Sequence, residues 1–427
     1  MHRVGFVFLT QQVRNGSWLF VAALLISSFL AIIPGQAQEY FKFEQKRKKV
    51  NIPFIFHRNL IIVPIYLNDK GPYNFVLDTG VSSAIITEPS LLNDLELKTT
   101  KEIKVVGAGS DQQDLRAFIV SNVKVDFTGI TAPNLDMTIL SEDVFNLSGY
   151  VGIPIYGILG YQFFNSFVVK INFADTNLTL YQPQSFVYRK RDGFRMAFEL
   201  DDKKPYVHAI TTFNDSIEIK SRLILDTGAG HAISLEQGSH PGIKLPVPAL
   251  RTQLGTGLSG TIRGYLGRVQ TFQLGKYKFK NILTSFPDHT DVGAKVEKSV
   301  VRNGNLGNEV LKRFNVIIDY SRSTLTLKPN NSYRDPFEHD MCGIEIMAAG
   351  TNFNKYVIYK VEPGSPAAEA DLQVEDEILF INAASAQALT ITQIDKLLHF
   401  KDGYRLLMII RRKGDLIYRI ITLKRRI

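Results

Sequence analysis

Phe75-Val76-Leu77-Asp78-Thr79-Gly80 recurs in the same chemical order as Leu223-Ile224-Leu225-Asp226-Thr227-Gly228. In each copy three apolar residues end on a carboxylate, a hydroxyl and a glycine. The offset from Asp78 to Asp226 is 148 residues, and other landmarks keep step with it. Ala84-Ile85 answers to Ala232-Ile233, and Gly107-Ala108-Gly109 to Gly255-Thr256-Gly257. Ile158-Leu159-Gly160 and Ile171-Asn172-Phe173 match Asn305-Leu306-Gly307 and Ile318-Asp319-Tyr320 at an offset of 147. Leu178-Thr179-Leu180 and Leu325-Thr326-Leu327 close the copies. A single Asp-Thr-Gly arises by chance in about one chain in ten of this length. Two copies in register with the remaining landmarks define an internal duplication.

Around these landmarks, from Phe43 to Pro329, short β-branched and aromatic runs alternate with Gly, Asn-Asp and Asn-Gly turns, which predicts a mainly β body. Each Asp-Thr-Gly then sits at the exit of a buried strand. An unpaired carboxylate there is costly, so the site calls for hydrogen bonds, a proton-sharing partner, or both. The glycine permits a tight turn with amides facing the acid, and the threonine adds a hydroxyl. If the copies pack about a pseudo-twofold axis, the aspartates meet and share one proton. Such a pair can activate water with its ionised member and polarise a carbonyl with its protonated one.

This constellation resembles the aspartic proteases, in the bilobal arrangement of pepsin-like enzymes but with lobes similar to retropepsin monomers. The resemblance implies duplicated acid-protease β-barrel lobes over 43–184 and 193–329, with Asp78 and Asp226 as the catalytic pair. It implies that Thr79 and Thr227 tie the two turns together and that Gly80 and Gly228 shape them. It places flap and substrate-binding roles on Gly107, Ala108 and Gly109 and on Gly255, Thr256 and Gly257. Three features depart from the family pattern: Asn305 stands where the closing motif has an apolar residue, no pepsin-type flap tyrosine is evident, and Val81 and Ala229 follow the triplets where a hydroxyl usually bonds the aspartate. Lacking that bond, the pair is expected to titrate above the pepsin values of about 1.5 and 4.7, with a mildly acidic optimum. The competing class is a catalytically inactive bilobal peptide-binding or scaffold protein of the cell envelope.

After Lys328-Pro329-Asn330 the pattern changes, and 334–338 reads as a polar linker into a module over 339–427. Val361-Glu362-Pro363-Gly364-Ser365-Pro366-Ala367-Ala368 and Ile378-Leu379-Phe380-Ile381-Asn382 resemble the α+β PDZ domains of bacterial envelope proteases. Such domains add a peptide strand to a sheet edge and capture its terminal carboxylate on backbone amides. Gly343 and Ile344 best match that loop, and Asp371 and Glu375 stand where the family often has glycine.

The amino terminus carries Arg3 and Arg14, an apolar run from Trp18 to Ile33, and Pro34-Gly35-Gln36-Ala37. Residues 1–37 read as a signal peptide cleaved after Ala37, or else as an anchor that attaches the chain to a membrane. The expected location is the bacterial periplasm or envelope. With Cys342 as the single cysteine, no intrachain disulfide forms. The net charge of +9 is scattered without a basic helical stripe, which argues against a nucleic-acid partner. His208 and His231 fit no zinc spacing, so neither metal nor cofactor is expected. The partners expected are protein or peptide substrates and a C-terminal peptide ligand of the PDZ-like module.

Overall fold

The structure, a computed structural model, describes residues 40–110, 115–213, 218–292 and 302–427. The expected signal segment and its cleavage after Ala37 lie outside the described residues. Among those described, no helix is long and apolar enough to cross a membrane.

The chain is mainly β, with its described strands in four sheets. One is built from the first copy, one from the second, a third from both, and the fourth from the carboxyl-terminal module. In the first copy Leu60–Leu67 turns into Lys70–Leu77 through Asn68 and Asp69, both at positive φ (48° and 64°). A two-residue turn of that hand matches the twist of an antiparallel pair, and Asn and Asp tolerate it. Lys70–Leu77 grows more buried as it proceeds, so Asp78 emerges where the strand leaves the core. It lies beside Gly157–Leu159, which runs parallel to it. Glu218–Leu225 and Gly304–Leu306 repeat that parallel pairing in the second copy.

The shared sheet shows how the copies face each other. Its centre pairs Val168–Asn172 antiparallel with Phe314–Asp319, placing Val169 opposite Ile318, Lys170 opposite Ile317 and Ile171 opposite Val316. Because the copies are offset by 147 here, Lys170 faces its own equivalent and the flanking pairs exchange under a half-turn. The pseudo-twofold axis therefore passes through the Lys170 and Ile317 pair. Val169, Ile171, Val316 and Ile318 are buried, and each such side chain contributes about 1.5–3 kcal/mol of apolar burial. One hydrophobic core runs through both copies.

The carboxyl-terminal module has a separate core around Ile346, Ile358, Ile381, Ile394, Leu406 and Met408. Ser365 caps the short helix Pro366–Glu369, and a Thr390/Gln393 capping box starts Ile391–Leu398. Asp371 and Glu375 adopt positive φ (55° and 72°), the conformation a glycine would take without strain. The Asp371 carboxylate is compensated by Arg412 and Arg419. The stretch 334–338, expected as a polar linker, is packed on the body. Phe337 is buried edge-on against Phe279 at 5.7 Å, and the Arg313 guanidinium lies 3.7 Å above its ring. Arg313 also donates to the carbonyls of Asp335 and Pro336, so the connection is stitched to the body.

Candidate active site

Asp78 and Asp226 leave their strands on opposite sides of the axis, and their backbone N–H groups donate to the carbonyls of Leu159 and Leu306, each at 2.9 Å. The closing motif of each copy thus fixes the turn that holds its aspartate. Gly80 N–H donates to Asp78 Oδ1 at 2.6 Å, and Gly228 N–H donates to Asp226 Oδ1 at 3.0 Å.

Beneath the carboxyls the threonines interlock. Thr79 N–H donates to Thr227 Oγ1 at 3.1 Å, and Thr227 N–H donates to Thr79 Oγ1 at 3.0 Å. Each hydroxyl then donates across the axis, Thr79 to the Leu225 carbonyl and Thr227 to the Leu77 carbonyl. Both threonines are fully buried, where every polar atom left unbonded is costly. The reciprocal bonds satisfy them and fix the separation of the two turns.

The glycines face the opposing carboxyls. A Cβ on Gly228 would lie 2.2 Å from Asp78 Cγ, and one on Gly80 would lie 3.1 Å from Asp226 Cγ. The two carboxyls therefore face each other closely enough for each to feel the other's charge. Burial, and then the charge of Asp226, push Asp78 well above the ordinary carboxylate range, against the pull of the Gly80 and Gly228 amides. One proton on the pair is the arrangement that relieves the repulsion.

Several neighbours were not singled out from sequence for these roles. Asn305 Nδ2 donates to Asp226 Oδ2 at 2.7 Å. The donor missing at Ala229 is therefore supplied from the closing motif, which corrects the expectation that the ionised form lacks such a bond on this side. Asn308 Nδ2 donates to the Thr227 carbonyl at 2.6 Å and to the Asn59 carbonyl at 2.7 Å, bracing the second turn. Tyr320, stacked on Phe164, is buried near both acids, and its hydroxyl is pushed well up by burial and by the Asp78 charge. The sequence signal for it was its alignment with Phe173 across the copies.

His231 is half-buried near Asp226, and desolvation lowers its pKa while the Asp226 charge raises it. His208 is instead exposed and pairs with Glu199 at 2.7 Å. Among the described residues no group of three or more His, Cys, Asp or Glu is placed to hold a metal.

The two glycine-rich hairpin tips meet. Ser259 N–H donates to the Ala108 carbonyl at 2.9 Å, and Gly107 N–H donates to Ser259 Oγ at 3.2 Å. Gly109, at φ +137°, passes so close to Ser259 that a Cβ would lie 2.0 Å from its carbonyl oxygen, and one on Gly257 would lie 2.2 Å from the Ala108 carbonyl oxygen. Gly255 and Thr256 belong to the ladder below that tip, in register with Ile262 and Thr261. Leu258 crosses to the first copy, packing on Gly107 and joining a cluster with Val81, Ile85, Leu115 and Ile158. The wall beside Asp78 is therefore apolar. In the second copy the registers that hold Ile158 and Ile85 carry Asn305 and Ser234, so the structural equivalent of Ile85 is Ser234, one residue beyond the Ile233 expected from the sequence alignment.

Gly343 and Ile344 do not form the open carboxylate loop that was expected. Gly343 N–H donates to Asp340 Oδ2 and Cys342 N–H to Asp340 Oδ1, so an internal carboxylate takes these amides. Ile344 is in register with Val361 at the start of the edge strand Ile344–Ala349. That strand packs against the helix Leu147–Val151 of the first copy. Arg58 fastens the contact, with two bonds to the Asp395 carboxylate at 2.8 and 3.0 Å and one to the Tyr150 carbonyl at 2.9 Å. Elsewhere Glu362 of the module accepts from Thr252, in the strand Ala249–Gly257 that leads to the second hairpin tip.

Residues 63–163 match the family model described as aspartyl protease. The matched stretch contains Asp78-Thr79-Gly80, the first hairpin tip and Leu159-Gly160, and ends before the second copy. Among curated proteins no match is found. Among solved structures, a photosystem II D1 C-terminal processing protease is similar at 19% identity, covering 20% of this chain and 23% of that chain, with a TM-score of 0.19. A likeness that slight carries no argument about fold or function.

Proposed function

We propose that the protein is an aspartic-type endopeptidase that hydrolyses peptide bonds with water activated between Asp78 and Asp226. The observation that carries this reading is the half-buried pair of facing carboxyls held across the axis by reciprocal threonine bonds. The ionised member removes a proton from water as its oxygen attacks the peptide carbonyl carbon, and the protonated member hydrogen-bonds the carbonyl oxygen. The tetrahedral intermediate collapses when the amide nitrogen is protonated and the C–N bond breaks, so no covalent enzyme intermediate forms. The touching hairpin tips would have to part to admit an extended peptide. The apolar wall beside Asp78 favours an aliphatic or aromatic substrate side chain on that side.

The chain is read as exported to a bacterial envelope, with a PDZ-like module that recruits peptide or protein ends. Since the module's edge strand lies against Leu147–Val151, recruitment and release of that contact are linked in this reading.

The test is proteolysis of an unfolded protein and a peptide library by the chain and by Asp78→Asn and Asp226→Asn. Both variants are expected to lose at least 1,000-fold in kcat, about 4 kcal/mol of transition-state stabilisation. Turnover retained by either one overturns the mechanism.

A further inference from the structure

The two copies differ at one position that touches the carboxyl pair, and the difference has a direction. Ile158 is in register with Val76, two residues before Asp78, and Asn305 with Ile224, two residues before Asp226. The two positions are therefore structural equivalents. The first holds a hydrocarbon side chain, and the second an amide whose Nδ2 donates to Asp226 Oδ2 at 2.7 Å. The turn amides do not favour Asp226, since Gly80 N–H donates to Asp78 at 2.6 Å and Gly228 N–H donates to Asp226 at 3.0 Å while also pulling on Asp78. Asn305 does distinguish them. Its NH₂ group only donates, and a donor aimed at a carboxyl oxygen favours the charged form.

Building on the reading of the pair as a catalytic dyad, we propose that Asn305 is a positioning residue that decides where the shared proton sits. It holds the negative charge on Asp226 and leaves the proton on Asp78. Asp226 is then the member that takes the proton from the attacking water, and Asp78 the member that polarises the substrate carbonyl. The titratable groups facing the pair do not compete for this role. Burial lowers the His231 pKa although the Asp226 charge raises it, and burial and the Asp78 charge push the Tyr320 hydroxyl well up. Two nearly identical turns thus acquire distinct acid and base roles through one side chain outside either triplet.

The experiment compares the full chain with Asn305→Leu, which installs the hydrocarbon character of Ile158, and with Asn305→Gln, which keeps an amide. Asn305→Ala serves if leucine does not pack, and thermal unfolding checks each fold. The first readout is carboxyl-13C aspartate NMR, with the two signals assigned from Asp78→Asn and Asp226→Asn. When the pair holds one proton, the Asp226 signal is expected at the carboxylate position and the Asp78 signal at the protonated position. In Asn305→Leu both move to intermediate positions as the charge spreads over the pair.

The second readout is the pH profile of kcat/KM. Removing a charge-assisted bond moves the two limbs alkaline by amounts that together come to about one to two pH units. Where the acid limb carries most of that displacement, activity at a fixed pH on that limb falls about 10- to 100-fold and recovers at higher pH. Asn305→Gln is expected to restore part of both effects. Unchanged carboxyl signals in Asn305→Leu, matching signals in the parent chain, or a loss equal at every pH would each overturn the proposal. A chain that cleaves nothing would instead refute the catalytic reading, and the NMR readout would still locate the proton.

Discussion

Arg58→Met is expected to release the carboxyl-terminal module from the first copy without unfolding either. The Arg58 side chain is 7% exposed and that of Asp395 25%, and two charge-assisted bonds join them. Breaking one partner of a buried pair costs about 3–5 kcal/mol, because the other charge is stranded. Asp395 keeps some access to water, which places this pair at the lower end, about 3 kcal/mol. Methionine keeps an apolar stem of similar length but loses the guanidinium that lies 4.6 Å over the Tyr150 ring, so the loss is chiefly electrostatic. The module keeps its own core, and the cost therefore falls on docking. About 3 kcal/mol is roughly 100-fold in the ratio of docked to released states. Amide hydrogen exchange should read that change directly. Leu147–Val151, Ile344–Ala349 and Ile391–Leu398 should exchange up to about 100-fold faster, while Phe314–Asp319 in the shared sheet stays as protected as before. A double-mutant cycle with Asp395→Asn should show the second substitution costing far less once Arg58 is gone. Unchanged exchange in the three docking segments, or equal acceleration in the shared sheet, would refute the reasoning.

The carboxyl pair also makes stability depend on pH in a stated direction. The folded state raises Asp78 above its ordinary value of 3.8, so its contribution is fully present below that pH and is lost as pH rises through the raised value. Asp78→Asn should accordingly raise Tm at neutral pH, with the gain shrinking as pH falls toward about 4; a gain independent of pH would contradict this. At the connection, Phe337→Ala removes a ring packed between Phe279 and Arg313 and should cost about 3 kcal/mol in denaturant unfolding. A cost below about 1 kcal/mol would mean that 334–338 behaves as a free linker after all.

What could be read from the sequence follows from what duplication leaves visible. Strand, triplet and closing motif recur because each copy solves the same local problem, and that recurrence places two carboxylates on one axis before any coordinates are known. The shared sheet needed the coordinates, since its symmetric register is a property of two strands 147 residues apart and neither advertises its partner. Arg58 lay equally out of reach. Its partner Asp395 is 337 residues away and belongs to a different element type, and nothing in local patterning links them. Nothing in local patterning shows that the linker is packed, because Phe337 is one aromatic in a polar setting whose partners Phe279 and Arg313 lie far upstream.

The departures from repetition proved more informative than the repetition. Asn305 stood out as a flaw in the apolar closing motif, which is a sound reading if the position only packs. The coordinates place it over Asp226, where an apolar residue would leave the carboxyl oxygen without that donor. The same registers that carry Ile158 and Ile85 beside Asp78 carry Asn305 and Ser234 beside Asp226. A cleft with one hydrocarbon wall and one hydrogen-bonding wall cannot bind a peptide equally well in both directions. Under the proposed function, the divergence that would separate the roles of the two acids would also give a bound chain a polarity.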